Sequence, residues 1–543
     1  MQKRRATDMT FPPDLTASDG TGPSPDKRPV YQDFMPPCNS GCPAGENIQS
    51  WLALVYEKQY EAAWQVLLEQ NPMPAVHGRV CYHPCETACN RELVDEAVSI
   101  HQVERFLGDK AIEENWQPKF TERKTGKRIL VVGAGPSGLS AAYHLARMGH
   151  TVEIRDAGPI AGGMMHFGIP AYRLPRDILM AEIKRIESMG VKLTLNHKVE
   201  DLIKEKNEGF FDAVFVAVGA HISKKIDIPA SAASRIVDAV SFLRNVGEGE
   251  KPKLGRRVAI YGGGNTAMDA ARTAKRLGAE ETLIIYRRDI DNMPAHKFEA
   301  EEAMAEGVKI NWLRTIHEIE DDQIKVEKMT LDGQGRPQPT GEFEILEADS
   351  LILALGQSID SLLMNDIADI EFTSDGTVLV DRQMMTGHAG IFAGGDMVPS
   401  DRTVTIATGH GKKAARNIHA FLSGQVYKPA PKTPVVPYNS LHLWYNTDAM
   451  QSEQPELDIG KRVDSFDEVL GGLNEEEVVY EASRCYSCGN CFECDGCYGA
   501  CPEDAIIKLG KGRFYQIDYS KCTGCSACTL QCPTAAIHMT SNQ

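Results

Sequence analysis

Cysteine is missing from the long middle of this 543-residue chain: none occurs in the 395 residues between Cys89 and Cys485. Positive charge is short as well. Lys+Arg of 58 against Asp+Glu of 75 leaves a formal net charge of −17, which disfavours a general role on nucleic acid or an anionic membrane. No apolar run approaches the roughly 20 residues of a membrane span. Met1-Gln-Lys-Arg-Arg is basic, but polar, proline-rich sequence follows where a signal peptide has an apolar core, so a cytoplasmic location is expected. The composition is otherwise ordinary for globular protein, 42 % hydrophobic and 24 % charged, and the length implies roughly three or four domains of about 150 residues.

What the middle lacks, the ends hold. Five cysteines lie at 38, 42, 81, 85 and 89, and ten lie between 485 and 532. A disulfide framework suits small secreted domains with an even count; here the total is 15 and no export signal is expected. Tight C-x-x-C spacing points instead to metal or cluster ligation.

Seven prolines in residues 1–37 and little apolar pattern predict an irregular arm over 1–35. Ile48, Trp51, Leu52, Val55, Tyr56, Ala62, Trp64 and Leu67 then recur at helical spacing, predicting a helical domain over 36–120 with its cysteines at the turns. At 128 the pattern changes to strand, glycine turn, helix and strand: Arg128-Ile-Leu-Val-Val, Gly133-Ala-Gly-Pro-Ser-Gly138, a helical stretch to Met148, then Thr151-Val-Glu-Ile-Arg-Asp156. In this G-x-G-x-x-G context Gly133 permits the tight turn, Gly135 lets a pyrophosphate approach the backbone, and Gly138 allows close helix–strand packing. Pro136 and Ser137 open the helix, whose N-terminal N–H groups and dipole suit phosphate. Asp156, 23 residues past the first glycine, is placed to accept hydrogen bonds from a ribose.

The arrangement repeats 129 residues later. Arg257-Val-Ala-Ile-Tyr leads into Gly262-Gly-Gly264-Asn265-Thr266-Ala267, a helix to Leu277, and the strand Glu281-Thr-Leu-Ile-Ile-Tyr286. Two such units imply two dinucleotide sites. At the end of the second strand stand Arg287 and Arg288, where guanidinium suits a 2′-phosphate, so NADPH is favoured over NADH. Farther on, Gly390-Ile-Phe-Ala-Gly-Gly395-Asp396, followed by Thr403-Val-Thr405, resembles the second flavin-binding motif of two-dinucleotide flavoproteins. That resemblance implies FAD on the first unit, with Asp396 holding the ribityl chain. It also implies a discontinuous flavin domain, 122–235 plus 370–425, with an NAD(P)H domain, 236–369, inserted in it. Val218-Gly219-Ala and Ala354-Leu-Gly356-Gln look like the crossings between them. Disulfide reductases of this general fold keep a C-x-x-C beside the flavin; a body without cysteine excludes dithiol chemistry there.

A polar, proline-containing stretch, 426–480, is expected as a linker to a compact module, 481–543. There Cys491-x2-Cys494-x2-Cys497-x3-Cys501-Pro recurs as Cys522-x2-Cys525-x2-Cys528-x3-Cys532-Pro, displaced by 31 residues. This is the bacterial two-cluster ferredoxin pattern, in which the fourth cysteine of each run serves the other cluster. One 4Fe–4S cluster is assigned to Cys491, Cys494, Cys497 and Cys532, and the other to Cys522, Cys525, Cys528 and Cys501. Zinc is the alternative, although zinc sites seldom use such runs. Cys485 and Cys488 are left without a role.

Cys42-Pro43, Gly78-Arg-Val-Cys81, Cys85 and Cys89, the two fingerprints, Gly162-Gly163-Met-Met-His-Phe-Gly-Ile-Pro170 and Asn265-Thr-Ala-Met-Asp269 resemble the small (β) subunit of bacterial glutamate synthase over about 36–425. Dihydropyrimidine dehydrogenase and the large subunit of NADH-dependent ferredoxin:NADP oxidoreductase share this module. The resemblance implies an FAD- and NAD(P)H-binding electron-transfer unit whose helical N-terminal part carries 4Fe–4S clusters, with residues 164–167 near the isoalloxazine unless they simply pack. The family's earlier C-x-x-C is missing, so one N-terminal cluster is expected, with Cys42, Cys81 and Cys85 as core ligands and Cys38, Cys89 or Glu104 as the fourth.

The fold expected is α/β: two Rossmann-like domains, one inserted in the other, preceded by a helical iron–sulfur domain and followed by a small α+β ferredoxin-like domain. Hydride passage from nicotinamide to flavin needs orientation rather than an acid–base group, so no catalytic side chain is assigned. The expected function is electron transfer between NAD(P)H and iron–sulfur clusters through FAD, in a hetero-oligomer serving a larger redox subunit or free ferredoxin. The alternatives are a non-catalytic adaptor wiring two partners and the small subunit of a true glutamate synthase.

Overall fold

The N-terminal helices form because their apolar residues fall three and four apart and so share one face. A computed structural model describes residues 26–120, 124–223, 228–231, 235–444 and 446–541. In it the helix Ile48–Tyr56 buries Ile48, Trp51, Leu52 and Val55, and Tyr60–Leu68 buries Ala63, Trp64, Leu67 and Leu68. Three shorter helices, Pro37–Gly41, Pro74–Val80 and Pro84–Thr87, each start on proline, whose missing N–H costs nothing in a first turn. Two glycines set the tightest crossing. A Cβ on Gly78 would lie 2.5 Å from the backbone of Arg105, and one on Gly108 would overlap Ala75. Pro74–Val80 therefore lies directly against Ile100–Glu113, which places Glu104 beside the turn that carries Cys81.

The first Rossmann sheet is parallel and five-stranded, in the order Ile391–Ala393, Ala213–Val216, Arg128–Val132, Thr151–Arg155, Lys192–Thr194. Its central strands are almost wholly buried, as expected of a parallel sheet covered on both faces. The second sheet is also parallel and five-stranded, in the order Lys309–Trp312, Glu281–Tyr286, Arg257–Tyr261, Ser350–Leu353, Ile236–Asp238. It lies in sequence between Ala213–Val216 and Ile391–Ala393 of the first. A three-stranded antiparallel sheet, Arg314–Glu320, Gln323–Leu331 and Pro337–Glu347, accompanies it. The two connections between units pair as a short ribbon, Ile222 opposite Ser358 and Ser223 opposite Gln357, just beyond Gly219 and Gly356.

Two segments differ from expectation. Residues 1–25 lie outside the described residues, but the rest of the arm is not irregular. Lys27–Tyr31 pairs antiparallel with Ile537–Ser541, so an N-terminal strand covers an edge of the C-terminal module. Likewise 426–480 is a strap tied to the body rather than a free linker. The Val469 N–H donates to the Tyr172 carbonyl (2.9 Å), and Arg105 Nη1 donates to the carbonyls of Leu470 (2.8 Å) and Gly471 (3.0 Å). Proline and glycine lower the local helix and strand propensity that sequence patterns report, yet these two carbonyls find their partner on one arginine of another domain, Arg105. The strap ends in the helix Glu475–Ser483, started by a reciprocal capping box between Asn474 and Glu477.

Candidate redox centres

Each glycine of the first fingerprint meets a different physical demand. Gly133 has φ +107°, and a Cβ there would overlap the Ala217 carbonyl oxygen; a Cβ on Gly138 would overlap the Gly133 carbonyl oxygen. Gly135 faces open space: a Cβ there would find no other atom within 4 Å. A turn, a close helix–strand contact and an open approach to the backbone thus fall on the three glycines. Ser137 Oγ, in the first turn of the helix Pro136–Arg147, is buried without a hydrogen-bond partner. Asp156 is engaged locally: its carboxylate accepts from the Ala134 N–H at 2.6 Å and the Gly158 N–H at 2.7 Å. Lone pairs remain on both oxygens for ribose hydroxyls.

The loop that carries Gly395 and Asp396 closes on this cradle. A Cβ on Gly395 would lie 3.0 Å from Ser137 Cβ, and one on Gly163 would lie 2.9 Å from Gly135 Cα. Burial pushes the Asp396 carboxyl up to about 6. Behind it runs the helix Val404–Leu422, capped by Thr403, whose Oγ1 accepts from the Ile406 N–H at 3.2 Å. Both ring nitrogens of the buried His166 lack a partner, and burial, reinforced by the Arg176 guanidinium, holds that imidazole down at about 4. Unpartnered polar atoms at Ser137 and His166 beside an open glycine cradle fit a polar dinucleotide.

The second fingerprint repeats the construction. Gly262 has φ +146° and no room for a Cβ against the Ala354 carbonyl, Gly264 faces open space, and Ala267 is buried. Asn265 links it outward: its Oδ1 accepts from the His296 N–H at 2.9 Å, and its Nδ2 donates to the Tyr82 hydroxyl at 2.6 Å. Tyr82 stacks on His296 with centroids 3.7 Å apart. The cysteine domain therefore touches the second cradle through a residue that no sequence pattern singled out. Arg287 is exposed at the end of Glu281–Tyr286, and Arg288 lies beside the Tyr286 hydroxyl with its Nε unpartnered.

The cysteines fall into four groups, and no disulfide joins any of them. A cavity of about 270 Å³ is lined by Cys42, Cys81, Cys85 and Glu104, with Glu46, His77 and Thr405. Glu46 and Glu104 share one donor, Asn71 Nδ2, at 3.1 and 2.7 Å. Burial pushes Glu46 up to about 7 and Glu104 well above the usual carboxylate range. Two buried carboxylates on one amide, facing three thiols, fit a positively charged iron centre. Of the three candidates for fourth ligand, Glu104 is at this cavity; Cys38 and Cys89 are not. They line a second cavity, of about 370 Å³, together with Cys485 and Cys488. The reason is local geometry. Cys38 and Cys42 stand at opposite ends of one short helical turn, the Cys42 N–H donating to the Cys38 carbonyl at 3.1 Å; Cys85 lies within the turn Pro84–Thr87 and Cys89 just past it, its N–H donating to the Glu86 carbonyl at 2.9 Å. Each turn thus presents one thiol to each cavity.

In the C-terminal module Cys501 lines a cavity of about 320 Å³ with Cys522, Cys525 and Cys528. Cys491, Cys494, Cys497 and Cys532 lie within electrostatic reach of one another. The internal duplication extends to hydrogen bonds: the Ala505 N–H donates to Cys501 Sγ and the Ala536 N–H to Cys532 Sγ, both at 3.3 Å.

Residues 127–411 match the family model described as pyridine nucleotide-disulphide oxidoreductase. The chain belongs to the pyridine nucleotide-disulphide oxidoreductase family. Residues 31–116 match a dihydropyrimidine dehydrogenase domain II model with a 4Fe–4S cluster, and 515–538 match a 4Fe–4S binding domain. Among curated relatives, NADP(+)-dependent formate dehydrogenase subunit beta of Moorella thermoacetica is 34% identical, covering 86% of this chain and 72% of its own length. NADPH-Fe(3+) oxidoreductase subunit beta of Geobacter sulfurreducens is 32% identical, covering 84% and 75%. The small chain of NADPH glutamate synthase from Azospirillum brasilense is 33% identical, covering 73% and 88%. This family member is an NAD(P)H-dependent FAD and iron–sulfur oxidoreductase with 4Fe–4S clusters at both ends. The matched 127–411 segment holds no cysteine, so it works without the dithiol that names its family. No helix among the described residues is long and apolar enough to cross a membrane.

Proposed function

We propose that this chain is an electron-transfer subunit that exchanges electrons between NADPH and its iron–sulfur centres by way of FAD, and delivers them to a partner redox subunit or free ferredoxin. FAD belongs in the first cradle, at Gly133, Gly135, Pro136, Ser137, Gly138, Asp156, Gly163, Gly356, Gly395, Asp396 and Thr405. The nicotinamide nucleotide belongs in the second, at Gly262, Gly264, Asn265, Thr266 and Ala267, with Arg287 and Arg288 toward the 2′-phosphate. When bound, FAD supplies the conversion between two-electron and one-electron transfer. The residues of this chain orient the two nucleotides.

The observation that carries the reading is the placement of the helix Val404–Leu422. On one side Gly411 lies against Ser137 of the first fingerprint; on the other Gly409 lies against Pro43, next to Cys42. Thr405, in its first turn, lines the cavity of Cys42, Cys81, Cys85 and Glu104. One helix is thus common to the flavin cradle and the nearest cluster site. The relatives named above are subunits, which supports a partner carrying the final chemistry.

Anaerobic stopped-flow mixing of the flavin- and iron-loaded protein with NADPH, and separately with NADH, tests this. The expected result is bleaching of the flavin band followed by slower bleaching of the iron–sulfur absorbance, faster with NADPH. Absence of bleaching with both donors would sink the enzyme reading and leave the adaptor.

A further inference from the structure

We infer that Cys38, Cys89, Cys485 and Cys488 hold a further 4Fe–4S cluster, built jointly by the two ends of the chain, so that this protein carries four clusters and none of its cysteines is idle. The four thiols line one cavity, whose other walls include Leu52, Val98 and Ile100. Its space, about 370 Å³ including the part open to solvent, is of the same order as the roughly 320 Å³ beside Cys501, Cys522, Cys525 and Cys528, a ferredoxin quartet that serves as an internal yardstick.

The spacing of the sulfurs selects a cluster over a single ion. A tetrahedral zinc with bonds of about 2.3 Å holds its sulfurs about 3.8 Å apart. Among the described residues, the trios of ligand atoms lying within 4.8 Å of one another are His83–Glu86–His101 and Glu46–His77–Glu104; neither contains a cysteine. No three sulfurs at this cavity lie within 4.8 Å of one another, and the same holds in the ferredoxin quartets, which suits a cube with one iron behind each thiol.

The second observation is the hydrogen bonding to sulfur. The Ser487 N–H donates to Cys485 Sγ at 3.4 Å, and Asn90 Nδ2 reaches Cys488 Sγ at 3.5 Å. The ferredoxin quartets have the same kind of N–H donors at Cys501 and Cys532. Donors of this type stabilise thiolates and tune cluster potential.

The C-terminal pair is fixed in place by the N-terminal domain. Arg91 Nη1 donates to the Arg484 carbonyl (2.8 Å), Arg484 Nη1 to the Ala97 carbonyl (2.9 Å), Gln49 Nε2 to Ser487 Oγ (3.4 Å) and the Phe34 N–H to the Gly489 carbonyl (3.0 Å). Arg484 is almost wholly buried. Its burial is hard to explain for a tether and natural for a segment that must hold two ligands against another domain.

The site also closes a gap. It shares the turns Cys38–Cys42 and Cys85–Cys89 with the cavity beside the flavin cradle, and Cys488 precedes Cys491 of the ferredoxin module by three residues. An electron leaving the flavin-side cluster reaches the ferredoxin clusters through it, one in and one out, so the two electrons of each NADPH pass in two turns. This relay role, unlike the cluster itself, rests on the function proposed above.

The test is iron and acid-labile sulfide content of the anaerobically purified full chain, with Mössbauer or EPR spectra. Four clusters predict about 16 iron atoms per chain; about 12 overturns the site. Cys485→Ser/Cys488→Ser should lose about four irons and one cluster signal while keeping its FAD and its flavin bleaching by NADPH, and the ferredoxin signals should then appear far more slowly after mixing. Cys38→Ser/Cys89→Ser, made at the other end of the chain, should lose the same signal. A double variant that keeps about 16 irons refutes the assignment. If the serine pairs fail to fold, the wild-type iron count decides alone. A protein that holds 16 irons but is not reduced by NADPH would refute the proposed function and leave the site standing.

Discussion

Gly409 lies so close to Pro43 that a side chain on it would overlap the Pro43 carbonyl oxygen. The backbone of the helix beneath the flavin cradle therefore rests on the backbone of the turn that carries Cys42. In a helix interior Gly→Ala ordinarily gains stability; here the methyl has nowhere to go. Gly409→Ala should cost about 1–3 kcal/mol by overpacking. It should also slow the appearance of cluster bleaching after NADPH more than it slows flavin bleaching. Thermal unfolding and stopped-flow absorbance on one sample check both halves, and equal slowing of the two phases would deny the contact a role in transfer.

Glu46 and Glu104 both reach Asn71, yet they are offered different roles. Glu104 projects from the helix Ile100–Glu113 that Gly78 and Gly108 press against the Cys81 turn, as a fourth ligand should. Glu104→Ala should strip about four irons from the full complement, whereas Glu46→Gln should keep them. The reverse pattern in iron analysis would exchange the two residues.

What was legible in the sequence was what is local. Gly133, Gly135 and Gly138 act within one turn, so their spacing alone announced the cradle; the 31-residue repeat announced the gathering of Cys501 with Cys522, Cys525 and Cys528 in the same way. Cys485 and Cys488 were illegible because their partners, Cys38 and Cys89, are about four hundred residues away. No periodicity links such positions, and counting ligands within the N-terminal block left five thiols for one site. The strand Lys27–Tyr31 was hidden for the same reason: its partner is the last strand of the described chain. Tyr82 and the strap residues failed differently. Their role is to touch another domain, and a single tyrosine or a run of prolines carries no mark of that.

The two outer glycines and the middle one of the first fingerprint should fail in distinct ways. A Cβ on Gly135 meets nothing within 4 Å, so Gly135→Val should fold normally and lose FAD, since the side chain fills the approach to the backbone. Gly138→Ala puts a methyl onto the Gly133 carbonyl and should destabilise the protein whether or not FAD is added. Flavin content and melting temperature, measured together, separate the two outcomes. A Gly135→Val protein that retains stoichiometric FAD would mean that the cradle does not hold the pyrophosphate.

Arg287 is exposed at the tip of its strand, so removing it should leave stability nearly unchanged. Its loss deprives a 2′-phosphate of a charge-assisted partner worth about 1.5–3 kcal/mol. Arg287→Ala should therefore raise KM for NADPH roughly 10- to 100-fold, with little change for NADH. Steady-state reduction of an artificial acceptor with each donor measures the ratio. A parallel rise for both nucleotides would place the arginine away from the phosphate.

His166 links the cradle to pH. Burial and the neighbouring Arg176 guanidinium hold its imidazole at about 4, against an ordinary value near 6.5, so the native state prefers it neutral. The unfolded chain takes up that proton first. The stability this residue contributes is then complete above about pH 6.5 and is lost as pH falls from there toward 4. His150 is held down in the same direction, so the signature is a difference between proteins rather than a single curve. His166→Asn should narrow the gap between melting temperatures measured at pH 7.5 and pH 5, because asparagine has no proton to gain. Two parallel pH profiles would show that the imidazole is solvated in the native protein, and that the unpartnered ring nitrogens are met by water and not by a bound flavin.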